Sequence, residues 1–229
     1  MEIIPHVYQV THRKANIILI VEEELTLIDT GFRNSPSYII NYINSLGRSV
    51  EDISLIIITH NHLDHAGGLA ELKKLTRARI AAHKADLSER EDQLPYRKTV
   101  RRLLRIPPFS IFRPLVYARL RDIDIPLEGG EVLSPLGGLE VIHTPGHTPG
   151  SISLFSPQRK LLIVGDALNN RYRDIRFPPK MVSISQAQAI DSIKNIARLD
   201  FDILCFGHGK PITGDASTRV RDLIKRHEL

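Results

Sequence analysis

Three histidines and an aspartate fall within six residues: His60, His62, Asp64 and His65. They come directly after Ile53 to Thr59, a nearly unbroken apolar run typical of a strand buried on both faces. The chain must therefore fold so that a dense group of ionisable side chains sits at the end of a buried strand. Such groups are costly to bury unpaired, and an ordinary loop has no need to concentrate them. Imidazole and carboxylate together suit Zn, Fe or Mn, and no thiolate lies among them. In an extended segment His60 and His62 point to one side, and a turn at Leu63 swings Asp64 and His65 towards the same cavity.

Other ionisable residues take similar positions. Asp29 ends the strand-like segment Leu25 to Ile28, and Asp166 follows Leu161 to Val164 through Gly165. His147 lies in the sharply turning segment Thr144 to Ser151, and His208 lies between Gly207 and Gly209, whose small size lets a side chain approach a crowded site. Further strands are expected at Ile3 to Val10, Ile17 to Val21, Arg79 to Ala82, Leu139 to His143, Ile152 to Phe155 and Ile203 to Phe206. Helices are expected from Ser35 or Ser37 to Leu46, from Gly68 to Leu75, from Gln186 to Leu199 and from Thr218 to His227. Each half runs from strands to helix, which suggests two similar layers and not a regular βαβ repeat. Between Lys84 and Pro126, four prolines (Pro95, Pro107, Pro108 and Pro114) break an otherwise helical pattern, and strands are expected to resume at Glu131.

The segment His60 to His65 reads His-x-His-x-Asp-His. With Ile28-Asp29-Thr30-Gly31, the turn Gly146 to Gly150, Gly165-Asp166 and Gly207-His208-Gly209, it resembles the metallo-β-lactamase superfamily, in particular its glyoxalase II-like hydrolases. These motifs run from residue 28 to 209 and leave 84–126 uncovered. The resemblance implies an α/β (α+β) fold, a four-layer αββα sandwich. It is expected as a single domain over 1–229 with a helical insertion around 84–126.

The resemblance also implies two divalent metal ions, zinc in first place, with iron or manganese as alternatives. His60, His62 and His147 would hold one ion, Asp64, His65 and His208 the second, and Asp166 would bridge them. Asp29 would orient ligands without binding metal. Asp64 and Asp166 would be the catalytic carboxylates, and a metal-activated hydroxide would attack a small ester, lactone or thioester. Two alternatives share the motif pattern: a mononuclear iron persulfide dioxygenase, and a phosphodiesterase or nuclease.

Departures from the pattern narrow the substrate. About twenty residues follow His208, too few for the C-terminal helical domain with which true glyoxalase II enzymes bind glutathione. The tyrosine that many lactonases place three residues after the bridging aspartate is here Asn169. Enzymes with a cysteine ligand are disfavoured, because Asp166 stands at that position.

The formal charge of +5 is concentrated between Lys84 and Arg121, where ten basic residues face four acidic ones, Asp86, Glu89, Glu91 and Asp92. That stretch suggests attraction for a small anionic substrate, or a surface for a homodimer. Low aromatic content argues against nucleic acid. No apolar run reaches membrane-spanning length, no signal peptide is apparent, and a single cysteine, Cys205, excludes an intramolecular disulfide. A cytoplasmic protein is the expectation. Cys205 reads as a small core residue, His83 and His143 as structural, and His6, His12 and His227 as surface residues.

Overall fold

The structure is a computed structural model that describes residues 1–87, 118, 120, 123–172 and 174–227. It contains two sheets. The first runs in chain order through β1 (Glu2–Ile4), β2 (Val7–His12), β3 (Ala15–Val21), β4 (Leu25–Ile28), β5 (Ile53–Ile58), β6 (Arg79–His83) and β7 (Ile125–Leu127). The second comprises β8 (Val132–Leu133), β9 (Leu139–His143), β10 (Ile152–Ser156), β11 (Leu161–Ile163), β12 (Ile203–Cys205) and β13 (Ile212–Thr213), in the spatial order β13-β12-β11-β10-β9-β8. Among the described residues five α-helices accompany them: α1 (Pro36–Ser45), α2 (Leu63–Ala66), α3 (Leu69–Leu75), α4 (Gln186–Ile196) and α5 (Ala216–Arg226).

The strands are apolar on both faces, and their two-residue period sorts the core into three layers. Ile18 and Ile20 of β3, Ile57 of β5, and Leu161 and Ile163 of β11 pack between the sheets. Their neighbours Ile17, Leu19, Ile56 and Ile58 turn the other way, onto Ile39 and Ile43 of α1 and Leu69 and Leu72 of α3. Leu162 and Leu204 likewise turn outward onto Ile193 and Ile196 of α4 and Val220 and Leu223 of α5. Helix, sheet, sheet, helix is the αββα sandwich implied by the motifs.

In each sheet an antiparallel meander passes into a parallel pair through a helical crossover, β4-α1-β5 in the first and β11-α4-β12 in the second. Parallel pairing of β4, β5 and β6 sets their C-terminal ends along one edge. The β2-β3 turn comes to the same edge, because β3 runs antiparallel to β4 with Ile18 opposite Ile28. In the second sheet the β9-β10 loop and the ends of β11 and β12 do the same, through the pairs Leu154–Ile163 and Ile163–Cys205. The two edges are joined by Ile152 N–H donating to Thr59 C=O (3.0 Å) and Asn16 N–H donating to Gly207 C=O (2.8 Å).

Some expectations change. Ile3 to Val10 is two strands, because Pro5 and His6 turn the chain, with His6 at φ 73°. Strands resume at Ile125, earlier than Glu131, since β7 pairs in parallel with β6. The helical reading of 84–126 falls mostly outside the described residues. Where it is described, Lys84–Asp86 forms a single 3-10 turn. Among the described residues no helix is long and apolar enough to cross a membrane.

Candidate metal centre

The strand ends bring all seven candidate ligands to one place. His60 follows β5, and His62 caps the short helix α2, which turns Asp64 and His65 inward. His147 comes from the β9-β10 loop, Asp166 from the end of β11 and His208 from the end of β12. His62 Nδ1 lies 3.1 Å from His60 Nε2 and 3.0 Å from His147 Nε2. His208 Nε2 lies 3.2 Å from Asp64 Oδ2, and His65 Nε2 lies 3.7 Å from the same oxygen. Asp166 faces both groups: its Oδ2 is 3.5 Å from His147 Nε2 and 3.4 Å from His208 Nε2, and its Oδ1 is 3.6 Å from His65 Nε2. Three donor sets could hold an ion: His60, His62 and His147; His60, His65 and Asp166; and Asp64, His65 and His208.

The donors fit a metal. His65 Nε2 and Asp166 Oδ1 are buried without a hydrogen-bond partner among the described residues. An unsatisfied buried pair of this kind is uncommon unless another ligand takes it up. The rest of each ring is braced. Asp29 Oδ2 accepts from His65 Nδ1 at 2.8 Å and from Thr59 Oγ1 at 2.8 Å, and its Oδ1 accepts from Thr59 N–H at 2.8 Å. Asp29 adopts φ 62°, a left-handed conformation costly for a non-glycine residue and typical of functional sites. His208 Nδ1 donates to Lys14 C=O at 2.7 Å, which leaves Nε2 facing the carboxylates.

Burial and the neighbouring rings hold His62 down, to about 3, and hold His60 well below the usual imidazole range. Both are thus neutral near pH 7, the form that binds metal. For His208 burial acts downward too, but Asp166 and Asp64 overcome it and lift the ring to about 10. Burial alone would raise Asp64 and Asp166, yet His208 and His65 keep both ionised.

Close approach is visible at Gly207, where a β-carbon would fall against Asp166 Oδ1 and 2.6 Å from His65 Cε1. Gly207→Ala is therefore expected to push these two side chains apart and lower metal content below that of the parent. Elemental analysis of the purified variant checks this, and unchanged metal content would show that the gap can relax.

Other side chains matter here that the sequence did not single out. Asp86, counted only as a charge within the basic stretch, is buried and joins two loops of the site. Its Oδ2 accepts from Asn61 N–H (3.0 Å) and Thr148 Oγ1 (2.8 Å), and its Oδ1 accepts from Gly150 N–H (2.7 Å). Asn16 bridges the sheets by donating to Phe206 C=O (2.9 Å) and Gly209 C=O (2.7 Å). His12, expected at the surface, is buried, with Nδ1 2.8 Å from Ser35 Oγ. His83 and His143 stack on each other with ring centroids 4.0 Å apart, outside all three donor sets. Cys205 is fully buried in the inter-sheet core, and burial pushes its thiol up to about 12, which removes it as a nucleophile at neutral pH.

Comparison with known proteins gives the family. The family model of the metallo-β-lactamase superfamily matches residues 10–208. The chain belongs to this superfamily. It is 28% identical to the probable metallo-hydrolase YflN of Bacillus subtilis (strain 168), over 82% of this chain and 76% of that one. It is also 34% identical to a hydroxyacylglutathione hydrolase of Pseudomonas aeruginosa, though over 51% of this chain and only 33% of that protein. The metallo-β-lactamase family protein TTHA1429 from Thermus thermophilus shares the fold, with TM-score 0.77 at 23% identity over 99% of this chain and 81% of that one. The chain is accordingly a metallo-hydrolase of the metallo-β-lactamase superfamily, with His/Asp groups able to hold divalent metal.

Proposed function

We propose that this chain hydrolyses a small ester, lactone or thioester with two divalent metal ions, zinc in first place. The observation that carries the reading is Asp166, whose two oxygens face His147 and His208 on one side and His65 on the other. A carboxylate in that position suits a pair of ions better than one. His60, His62 and His147 would hold the first ion, Asp64, His65 and His208 the second, with Asp166 shared. When bound, such ions supply Lewis acidity, lowering the pKa of water and polarising a carbonyl.

The chain's own residues do the rest. Asp29 and the Lys14 carbonyl fix the tautomers of His65 and His208, so that Nε2 of each faces inward. Asp64 is the most exposed of the seven, with 26% of its side chain open to solvent, and marks the side from which a substrate enters. Water adds to the carbonyl carbon, the bond to the leaving oxygen or sulfur breaks, and a proton passes to the leaving group. Asp64, an ionised carboxylate at the open side, can accept a hydrogen bond from the attacking water and orient it.

Metal content per chain, by elemental analysis of protein purified without a histidine tag, tests the reading. About two equivalents, with turnover in an ester, lactone and thioester panel, is the expected result. One equivalent of iron alone, or no uptake on reconstitution, would overturn it. Chelation is expected to abolish turnover and lower the unfolding temperature, since an ion present at about a thousand times its Kd stabilises the fold by about 4 kcal/mol. Thermal unfolding with and without chelator measures this.

A further inference from the structure

A cleft of about 720 Å³ has a lining that includes Arg13, Phe32, Arg33, Leu63 and Glu71. Three of its walls belong to segments that build the metal centre. Leu63 stands between His62 and Asp64 in the ligand loop. Phe32 and Arg33 follow the strand end that supplies Asp29, and Arg13 precedes Lys14, whose carbonyl holds His208.

Arg13 and Arg33 are both exposed, and among the described residues neither has an ion-pair or hydrogen-bond partner. Glu71 also lines the cleft, so these side chains together carry one positive charge in excess. Phe32 and Leu63 add apolar surface. Two free guanidinium groups near an apolar wall make a receptor for an anionic oxygen group on a short carbon chain, since the planar fork matches carboxylate and phosphate oxygens.

We propose that this cleft binds the anionic end of the substrate. The natural substrate is then an ester, lactone or thioester that also bears a carboxylate or phosphate, held by Arg13 and Arg33 while its carbonyl lies at the metal centre. The inference rests on the hydrolase reading above for the position of the carbonyl, but not for the binding of the anion.

The test uses the full chain, metal-loaded, with two para-nitrophenyl esters. The ratio of kcat/KM for mono-para-nitrophenyl succinate over para-nitrophenyl acetate is expected to exceed about tenfold, equivalent to about 1.4 kcal/mol. In R13A/R33A that ratio should collapse towards one, through KM more than kcat, and R13K/R33K should restore part of it. Calorimetry with succinate and with inorganic phosphate reads the subsite without turnover, and the anion that binds more tightly tells carboxylate from phosphate. Binding should weaken at least tenfold in R13A/R33A. A ratio unchanged in the double variant, or no saturable binding of either anion by the parent, overturns the subsite. Arginine-dependent anion binding without turnover of either ester would uphold the subsite and refute the hydrolase.

Discussion

Asp166→Ala is expected to lose about one of two metal equivalents and at least about a thousandfold in turnover. The magnitude follows from position. Residues that only brace a metal ligand typically cost 10–100-fold when removed, whereas Asp166 faces three imidazoles that belong to both donor groups. Its Oδ1 is buried with no hydrogen-bond partner among the described residues, so hydrogen bonding within the fold does not explain the place of that oxygen. Burial acts against the charge of both His65 and His208, and the carboxylate of Asp166 is the leading influence in the other direction. Without it both rings become poorer cations, and the two donor groups lose the shared charge between them. The fold should persist, because the substitution removes a buried charge and breaks no strand or helix. Elemental analysis, kcat/KM on whichever ester proves best, and circular dichroism of the same preparation separate these effects. Full activity with two metals in the variant would refute the shared-carboxylate reading. A collapsed far-ultraviolet spectrum would instead give Asp166 a role in folding.

The central strands were legible because each carries a physical signature in a short window. Ile53 to Thr59 is apolar at nearly every position since β5 is covered on both faces, Ile56 and Ile58 by helices and Ile57 by the other sheet. What was missed or misdrawn lies at the margins of the sheets. β1, β7, β8 and β13 are the four edge strands, each of two or three residues. At that length alternation has no room to show. Pro126, in the middle of β7, reads as a breaker, although proline is tolerated on an edge.

The candidate ligands could be picked out of the sequence for a different reason: four are neighbours in sequence, and the others sit in glycine-rich turns. Their supports were not. His12 finds Ser35 across 23 residues, Asn16 finds Phe206 across 190, and Asp86 finds Gly150 across 64. No local pattern encodes such pairings: the first arises when the end of β2 meets the start of α1, and the other two only when the two sheets meet. One clue was available for Asp86: it follows β6, the strand beside β5, and so ends up at the edge where His60 lies.

Replacing Asp86 should have the second-largest effect, and its pH dependence tells what the residue does. The carboxylate ties the loop after β5, through Asn61 N–H, to the loop that carries His147, through Thr148 Oγ1 and Gly150 N–H. Gly150 is needed for this approach, since a β-carbon there would lie 2.6 Å from the Asp86 carboxyl carbon. Burial pushes the acid up to about 6, against the opposing pull of Thr148, Gly150, Asn61 and, more weakly, His143. A folded-state pKa above the unfolded value means that the native protein holds its proton longer. Stability therefore declines as pH rises from about 4 to about 6, by about 3 kcal/mol from this group.

Asp86→Ala removes that decline but strands three buried donors, at about 1–3 kcal/mol each. The net result at pH 7 is a less stable protein whose unfolding free energy is flatter between pH 4 and 6. Asp86→Asn keeps the shape and one acceptor, yet turns an amide N–H₂ towards one of the donors. It should flatten the same profile with a smaller loss. Because the tie joins the loops of His60, His62 and His147, affinity at that donor set should fall about tenfold or more, while the set of Asp64, His65 and His208 holds. Denaturant unfolding at pH 4, 5, 6 and 7, with stepwise metal titration of both variants, reads stability and affinity separately. A stability loss with both affinities intact would make Asp86 a purely structural residue. A profile as steep as that of the parent would mean that its carboxyl is not the group titrating there.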